Sequence, residues 1–374
     1  ARIKGFDWSK LKTECSGLSG DLSDSFVRLR CMRGTLHLIP AQDASIIQQT
    51  YTLQADKSLC QISGAAFHDP QVQKIGKDVL QTLKSEGPLA ACKLRDVLKE
   101  KKYSECPFKA YDSPRYSKLP RCMVSKFLDC MANRGVVQYG AGVPKTIKKT
   151  TKAKVPQRDW RTNNRNWTTG LHKDEEPKFN ATPLSDEEVM EIHVDLARYY
   201  FGFYGPASYK DFVWWTGLTQ QHIKPAFAKL VEKDELRKIN IPGLPDLFLL
   251  ATSYEEYQST SSEPVEMCRL LPYEDALIKS YKETRHRFWG FDVNSKIDAL
   301  VVPKGVAVPS VWIDGEIIGS WSWKTKAAQP LTIELHKKVS MSQKERLLSE
   351  AAHVKDFIED SGVEISYVEG EGNE

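Results

Sequence analysis

Over residues 72–83 the apolar positions Val72, Ile75, Val79, Leu80 and Leu83 recur every three or four residues, which predicts an amphipathic helix. Gly87-Pro88-Leu89-Ala90 breaks it, and a short helical run follows over residues 93–98. Residues 123–132 predict a third helix, ended by Gly135, before a strand at Val136-Val137-Gln138-Tyr139. The same order returns downstream. Residues 189–201 read as a helix with Asp186 at its N-cap, Gly205-Pro206-Ala207-Ser208 breaks it, and residues 209–215 form a short helix before a turn at Gly217. Thr219 caps a third helix over residues 220–231, and strands follow at 236–239 and 247–250. Helix, Gly-Pro break, short helix, helix and strand pair is the layout of a winged helix-turn-helix, whose last helix is offered to a nucleic-acid groove. Two small helical bundles with hairpins are the plainer alternative; the Gly-Pro break in the same slot of both copies weighs against it.

Residues 143–183, between the copies, are polar and show neither helical nor strand periodicity. There Lys145, Lys148, Lys149, Lys152, Lys154, Arg158, Arg161 and Arg165 stand against Asp159, with Trp160 and Trp167 beside them. Basic residues interleaved with aromatics suit tracking phosphates and stacking on bases; they suit equally a solvated linker that docks its tryptophans on a neighbour. Beyond residue 264, Asp314-Gly315 lies between two alternating runs, a strong hairpin signal because both turn residues need positive φ. A strand at 331–335, a helix at 342–360 and a last strand at 363–368 complete an α+β unit with a small antiparallel sheet or barrel. The fold expected is therefore α+β. It comprises a first unit at 1–70, tandem winged-helix units at 71–142 and 184–258, the basic tryptophan-containing linker at 143–183, and the C-terminal unit at 264–374.

Composition narrows this little. The 374 residues carry a formal charge of +4, which permits nucleic-acid binding without arguing for it. No apolar run of membrane-spanning length occurs. The eight cysteines form no C-x-x-C pair and lie scattered in apolar segments, so no metal site is expected. They read instead as reduced thiols of a protein in the cytoplasm, the nucleus or another reducing compartment. The chain starts at Ala1 rather than methionine, so its first unit is expected to be incomplete at the N-terminus.

Four stretches carry a resemblance. Residues 32–43, Met-Arg-Gly-Thr-Leu-His-Leu-Ile-Pro-Ala-Gln-Asp, resemble the M-R-G-T-L-H-L-x-P-A-x-D motif of the AlkZ/YcaQ-like winged-helix DNA glycosylases. In order after it come residues 205–218 (G-P-A-S…D…W-x-G-L), 270–287 (L-L-P…R-x-R) and the hairpin at 308–321. The resemblance covers nearly the whole chain. It implies a tandem winged-helix protein that excises alkylated or crosslinked bases from damaged duplex DNA with no metal or other cofactor. It also implies a Gln-x-Gln or Gln-x-Asp motif that positions or activates a water. In the family that motif precedes the M-R-G-T-L-H segment, by a distance that places it upstream of Ala1. Residues 1–40 contain none; Gln71-Val72-Gln73 has the letters but lies in the second unit.

Base excision passes through an oxocarbenium-like sugar, so a placed water and an electrostatic partner suffice. The candidate DNA-binding residues are Arg33, Thr35 and His37, which alternation places on one face of a strand. Lys118, Arg121, Ser125 and Lys126 serve one third helix, and Thr219, Gln220, Gln221 and Lys224 the other. Arg285 and Arg287 close a helix-like segment, where they would bind phosphate or complement the helix end. The adjacent Trp214 and Trp215 point apart on a helix, so one belongs to the core. The competing function is a non-catalytic winged-helix protein that binds nucleic acid or sits in a larger assembly. A third reading is an enzyme of this fold with another substrate.

Overall fold

The computed structural model describes residues 26–63, 69–87, 89–90, 94, 97, 120–134, 136–139, 166–169, 185–260, 266–290, 301–302, 306–322, 331–358 and 365–369. The chain divides into two compact units, residues 1–196 and 197–374.

In the first unit β1 (Phe26–Cys31) and β2 (Thr35–Pro40) form an antiparallel hairpin pairing Leu29 with His37 and Cys31 with Thr35. Helix α1 (Ala44–Ser63) follows, then α2 (Pro70–Glu86), β3 (Leu89–Ala90), α3 (Pro120–Asn133), β4 (Val137–Tyr139) and β5 (Asn166–Thr169). The three short strands form one antiparallel sheet in the order β3-β5-β4. The apolar stripe of α2 is buried as expected: Val72, Ile75, Val79, Leu80 and Leu83 join Leu94, Phe127, Leu128 and Met131 in one core. Strand β5 corrects the reading of residues 143–183 as a stretch without strand structure. Its four residues, Asn-Trp-Thr-Thr, are too few for alternation to register, and they are held as a strand by ladders to β3 and β4 on either side.

The downstream copy opens with α4 (Asp186–Tyr204), which runs through the boundary between the units, and continues with β6 (Ala207–Ser208), α5 (Tyr209–Thr216), α6 (Gln220–Glu232), β7 (Leu236–Ile239) and β8 (Leu247–Leu250). Its sheet has the order β6-β8-β7. Both copies thus share one strand order, first, third, second; the short helix expected at 93–98 lies largely outside the described residues. The N-cap of α4 is Ser185 rather than Asp186: the Glu188 amide donates to Ser185 Oγ at 3.2 Å and the Ser185 amide donates to Glu188 Oε2 at 2.7 Å. Hydrogen bonds donated to the carboxylate by the Ser185 amide and by its side chain hold the Glu188 carboxyl below its ordinary range. Gly205 is required by close approach, since a Cβ there would lie 2.3 Å from the Phe201 carbonyl oxygen. The core of this copy is aromatic, with Phe201 5.4 Å from Phe212, Tyr200 5.1 Å from Trp215 and Phe227 4.9 Å from Phe248 between ring centres. Burying each such ring stabilises the fold by roughly 2–3 kcal/mol.

After α7 (Ala251–Ser259) the chain enters β9 (Cys268–Leu271), the short helix α8 (Ala276–Lys279) and a 3₁₀ turn at Arg285–Phe288. The helix-like segment expected to close at Arg285 and Arg287 is therefore corrected: Asp275 caps one turn of helix by accepting from the Leu277 amide at 2.8 Å, and Arg285–Phe288 is a separate 3₁₀ turn. The small pair β10 (Val301–Val302) and β11 (Val306–Ala307) precedes a five-stranded sheet ordered β15-β14-β13-β12-β9, made with β12 (Ser310–Ile313), β13 (Glu316–Ser322), β14 (Leu331–Leu335) and β15 (Ile365–Glu369). Asp314 and Gly315 make the expected hairpin turn with φ of 52° and 97°. β14 and β15 are parallel, joined through α9 (Met341–Ile358), whose Leu347 and Ala351 pack on Val311, Ile333 and Leu335. Trp321 packs against that core and donates from Nε1 to the Leu271 carbonyl at 2.8 Å; Trp323 lies outside the described residues. The described cysteines Cys31, Cys130 and Cys268 are buried and in no disulfide, and burial pushes Cys268 up to about 12. Among the described residues no helix is long and apolar enough to cross a membrane.

Candidate nucleic-acid interface

The two third helices present different faces. On α6 the buried positions are Ile223, Ala226 and Leu230, a single stripe at helical spacing. Gln220, Gln221, His222, Lys224, Pro225 and Ala228 are exposed around it. Thr219 occupies the N-cap, but its hydroxyl makes no capping bond; it lies 2.7 Å from His222 Nδ1 instead. The first turn of α6 therefore carries two amides, an imidazole and a lysine, all accessible. Behind it Arg198 clamps Glu235 with bonds of 2.7 and 3.0 Å, which holds the Glu235 carboxyl below its ordinary value and ties α4 to the start of β7.

On α3 every residue from Phe127 through Asn133 is buried. Helix α1 packs along it: Thr52 Oγ1 donates to the Asn133 carbonyl at 3.0 Å, and Asn133 Nδ2 donates to the Tyr51 carbonyl at 3.3 Å. Strand β1 covers it further. The C-terminal half of α3 is thus closed to a groove. Of the residues expected to read DNA from this helix, Lys118 lies outside the described residues, as do the side chains of Arg121, Ser125 and Lys126.

Arg33 does not share a strand face with Thr35 and His37. It sits in the β1–β2 turn with φ of 60°, between Met32 and Gly34, both also at positive φ. Simple alternation fails there because the strand starts only at Thr35. Thr35 and His37 do share a face, with Thr35 Oγ1 2.6 Å from His37 Nε2, and the threonine hydroxyl also reaches the Met32 carbonyl at 3.1 Å. Beneath them Cys31, Met32 and Tyr51 are buried, and burial drives the Tyr51 hydroxyl well above its ordinary range.

The segment carrying Arg285 and Arg287 is held by Asp211. Ser208 and Asp211 form a capping box at the start of α5, a Ser-x-x-Asp pattern visible in the sequence. The same carboxylate also accepts from the backbone amides of Lys282, Glu283 and Thr284 at 2.7, 2.6 and 3.3 Å, and from the Thr284 hydroxyl. Tyr200 donates to the Ser280 carbonyl at 2.8 Å and Tyr281 to the Tyr204 carbonyl at 2.6 Å, fixing the preceding residues on α4. Arg287 is built into this frame: it donates to the Pro206 carbonyl at 2.7 Å and stacks 4.6 Å from the rings of Tyr281 and Phe288. Arg285 donates from Nε to the Tyr281 carbonyl at 2.7 Å, and its guanidinium lies 5.9 Å from the Trp214 ring centre.

Trp214 and Trp215 point apart as expected. Trp215 is 4% exposed and joins the aromatic core. The half-buried Trp214 has Lys279 and Lys282 near its ring, at 5.8 and 5.1 Å, in addition to Arg285. Asp211, Trp214 and Lys282 were absent from the residues singled out by sequence as DNA contacts. One signal was present, because Lys279, Lys282 and Arg285 recur every third residue.

The family model described as DNA glycosylase AlkZ-like matches residues 18–357. Among solved structures, the Streptomyces sahachiroi DNA glycosylase AlkZ shares the fold with a TM-score of 0.63 at 20% identity, over 97% of this chain and 85% of that one. No curated protein matches the sequence.

Proposed function

The chain belongs to the AlkZ-like DNA glycosylase family, and from that premise we propose that it binds damaged duplex DNA and excises alkylated or crosslinked bases by hydrolysing the N-glycosidic bond. The observation that carries the proposal is the family match, which spans residues 18–357. The strand order repeated by β3-β5-β4, whose β5 lies beyond residue 142, and by β6-β8-β7 supports reading 71–142 and 184–258 as the bodies of two winged helix-turn-helix units, with the first unit at 1–70. In this reading Thr219, Gln220, Gln221 and Lys224 meet phosphates and base edges from the exposed start of α6. The Thr35–His37 pair lines a lesion pocket or grips a phosphate with Arg33 at the adjoining turn. Arg121, Ser125 and Lys126 act from the N-terminal part of α3, and Lys118 from the segment that precedes it. Arg285 takes a phosphate, and Arg287 positions the segment that carries it.

N-alkylation makes a purine cationic and a good leaving group, so the protein must chiefly open the duplex, stabilise the developing sugar cation and place a water. Hydrolysis of this kind needs neither a metal nor a small-molecule cofactor. The buried cysteines, in no disulfide, suit a reducing compartment that holds DNA.

The test incubates the whole protein with N-alkylated and crosslinked duplexes and reveals abasic sites by alkaline cleavage. Strand breaks above the no-enzyme control are expected, and fewer with Lys224→Glu. Retained duplex binding without breaks would overturn the excision claim and leave a non-catalytic nucleic-acid-binding protein. Negligible duplex binding would overturn both.

A further inference from the structure

We propose that Lys282 and Arg285, arrayed with Lys279 around the Trp214 indole, take a backbone phosphate of the DNA, as a contact point separate from α6. The inference rests on the nucleic-acid reading above and adds a site to it. Three cations spaced every third residue converge within 6 Å of one half-buried ring, at 5.8, 5.1 and 5.9 Å. The negative face of the indole offsets only part of their mutual repulsion.

The neighbouring charges are otherwise answered. Glu274 pairs with Lys279 at 3.0 Å, Glu283 pairs with Lys210 at 2.6 Å, and Asp211 is fully buried under backbone amides. Arg287 is bonded to the Pro206 carbonyl and stacked on two rings. Lys282 is exposed, and among the described residues no carboxylate pairs with it. An anion placed beside Lys282 answers its charge within reach of the Arg285 guanidinium, and a phosphodiester supplies one negative charge with two free acceptor oxygens.

The cations are also fixed in place. Asp211 holds the amides of residues 282–284, Tyr200 holds the Ser280 carbonyl, and Arg285 Nε is bonded to the Tyr281 carbonyl, so little ordering remains for DNA to impose on the backbone. A fortuitous surface lysine pair would have no such frame.

Duplex affinity measured across a salt series tests this, using the full chain and its Lys282→Ala, Lys224→Ala and doubly substituted forms. Each lost phosphate contact flattens the slope of log affinity against log salt by about one. We expect Lys282→Ala and Lys224→Ala each to flatten it by that amount, and the double variant by about two. Tryptophan emission should change on duplex addition, and that change should shrink in Lys282→Ala and vanish in Trp214→Phe. An unchanged slope in Lys282→Ala, with Lys224→Ala flattened, would overturn this site and leave the α6 reading standing. The reverse would uphold this site and overturn α6. A parent protein that does not bind duplex would overturn both through the DNA reading itself.

Discussion

α3 and α6 hold the same place in the same topology, yet one is enclosed and the other is open. α3 is buried at seven consecutive positions, 127 through 133, whereas α6 buries only Ile223, Ala226 and Leu230 along its inner stripe. The cause lies in sequence and in neighbours. Residues 127–133 read Phe-Leu-Asp-Cys-Met-Ala-Asn, apolar on nearly every side, and α1 and β1 cover them. α6 keeps amides, lysines and a histidine on its outer face. The C-terminal half of α3 thus serves as scaffold, whereas the start of α6 serves, on our reading, as contact surface. A fold-level repeat does not establish a repeated function.

Truncating side chains along the two helices should separate them most strongly. Phe127→Ala should cost about 3–5 kcal/mol, and Leu128→Ala and Met131→Ala about 2–5 kcal/mol each, in chemical denaturation. On α6 only Ile223→Ala and Leu230→Ala should approach that, while Lys224→Ala stays within about 0.5 kcal/mol. A tolerant Leu128 would mean that α3 is not enclosed. Next in size, Asp211→Ala strands four backbone amides, those of Ser208, Lys282, Glu283 and Thr284, and the Thr284 hydroxyl, and should cost about 3 kcal/mol. It should also weaken duplex binding more than Lys282→Ala does, because the whole segment loses its anchor.

Asn133→Ala, which removes the donor to the Tyr51 carbonyl, should cost about 1–2 kcal/mol by the same measurement. It has no counterpart among the exposed positions of α6. The smallest effect concerns the half-exposed Arg198–Glu235 clamp behind α6. Arg198 depresses the Glu235 carboxyl, so its contribution is present above the ordinary carboxylate pKa and is lost as pH falls through the depressed value. Glu235→Gln should cost less than about 1 kcal/mol near neutral pH, and its denaturation curve should merge with the parent's in acid. A gap that persisted in acid would mean packing, not charge, holds that corner.

Much of the framework was legible because it is written in short-range pattern. The stripe of α2, the Gly-Pro breaks, the Asp314-Gly315 turn and the separation of Trp214 from Trp215 all follow from spacing within one or two turns of chain. What escaped depended on distant partners. Strand β5 exists because β3 and β4 lie on either side of it, and four residues carry too little alternation to announce that. The left-handed backbone at Arg33 moved it off the face assigned to it. Ser208-x-x-Asp211 could be read as a capping box, but the capture of residues 282–284, some seventy positions away, could not. Arg287 reads from sequence as a phosphate ligand or a helix-end cation, and its bond to the Pro206 carbonyl, eighty-one positions away, was not legible there.

Hydroxyl-radical footprinting of side chains, with and without an N-alkylated duplex, tests the division of labour between the two helices directly. Our account predicts that oxidation of His222 and Pro225 on α6 falls when duplex is added, while Phe127, Leu128 and Met131 on α3 stay equally protected in both states. Unchanged oxidation along α6 in a sample where the duplex is demonstrably bound would contradict it.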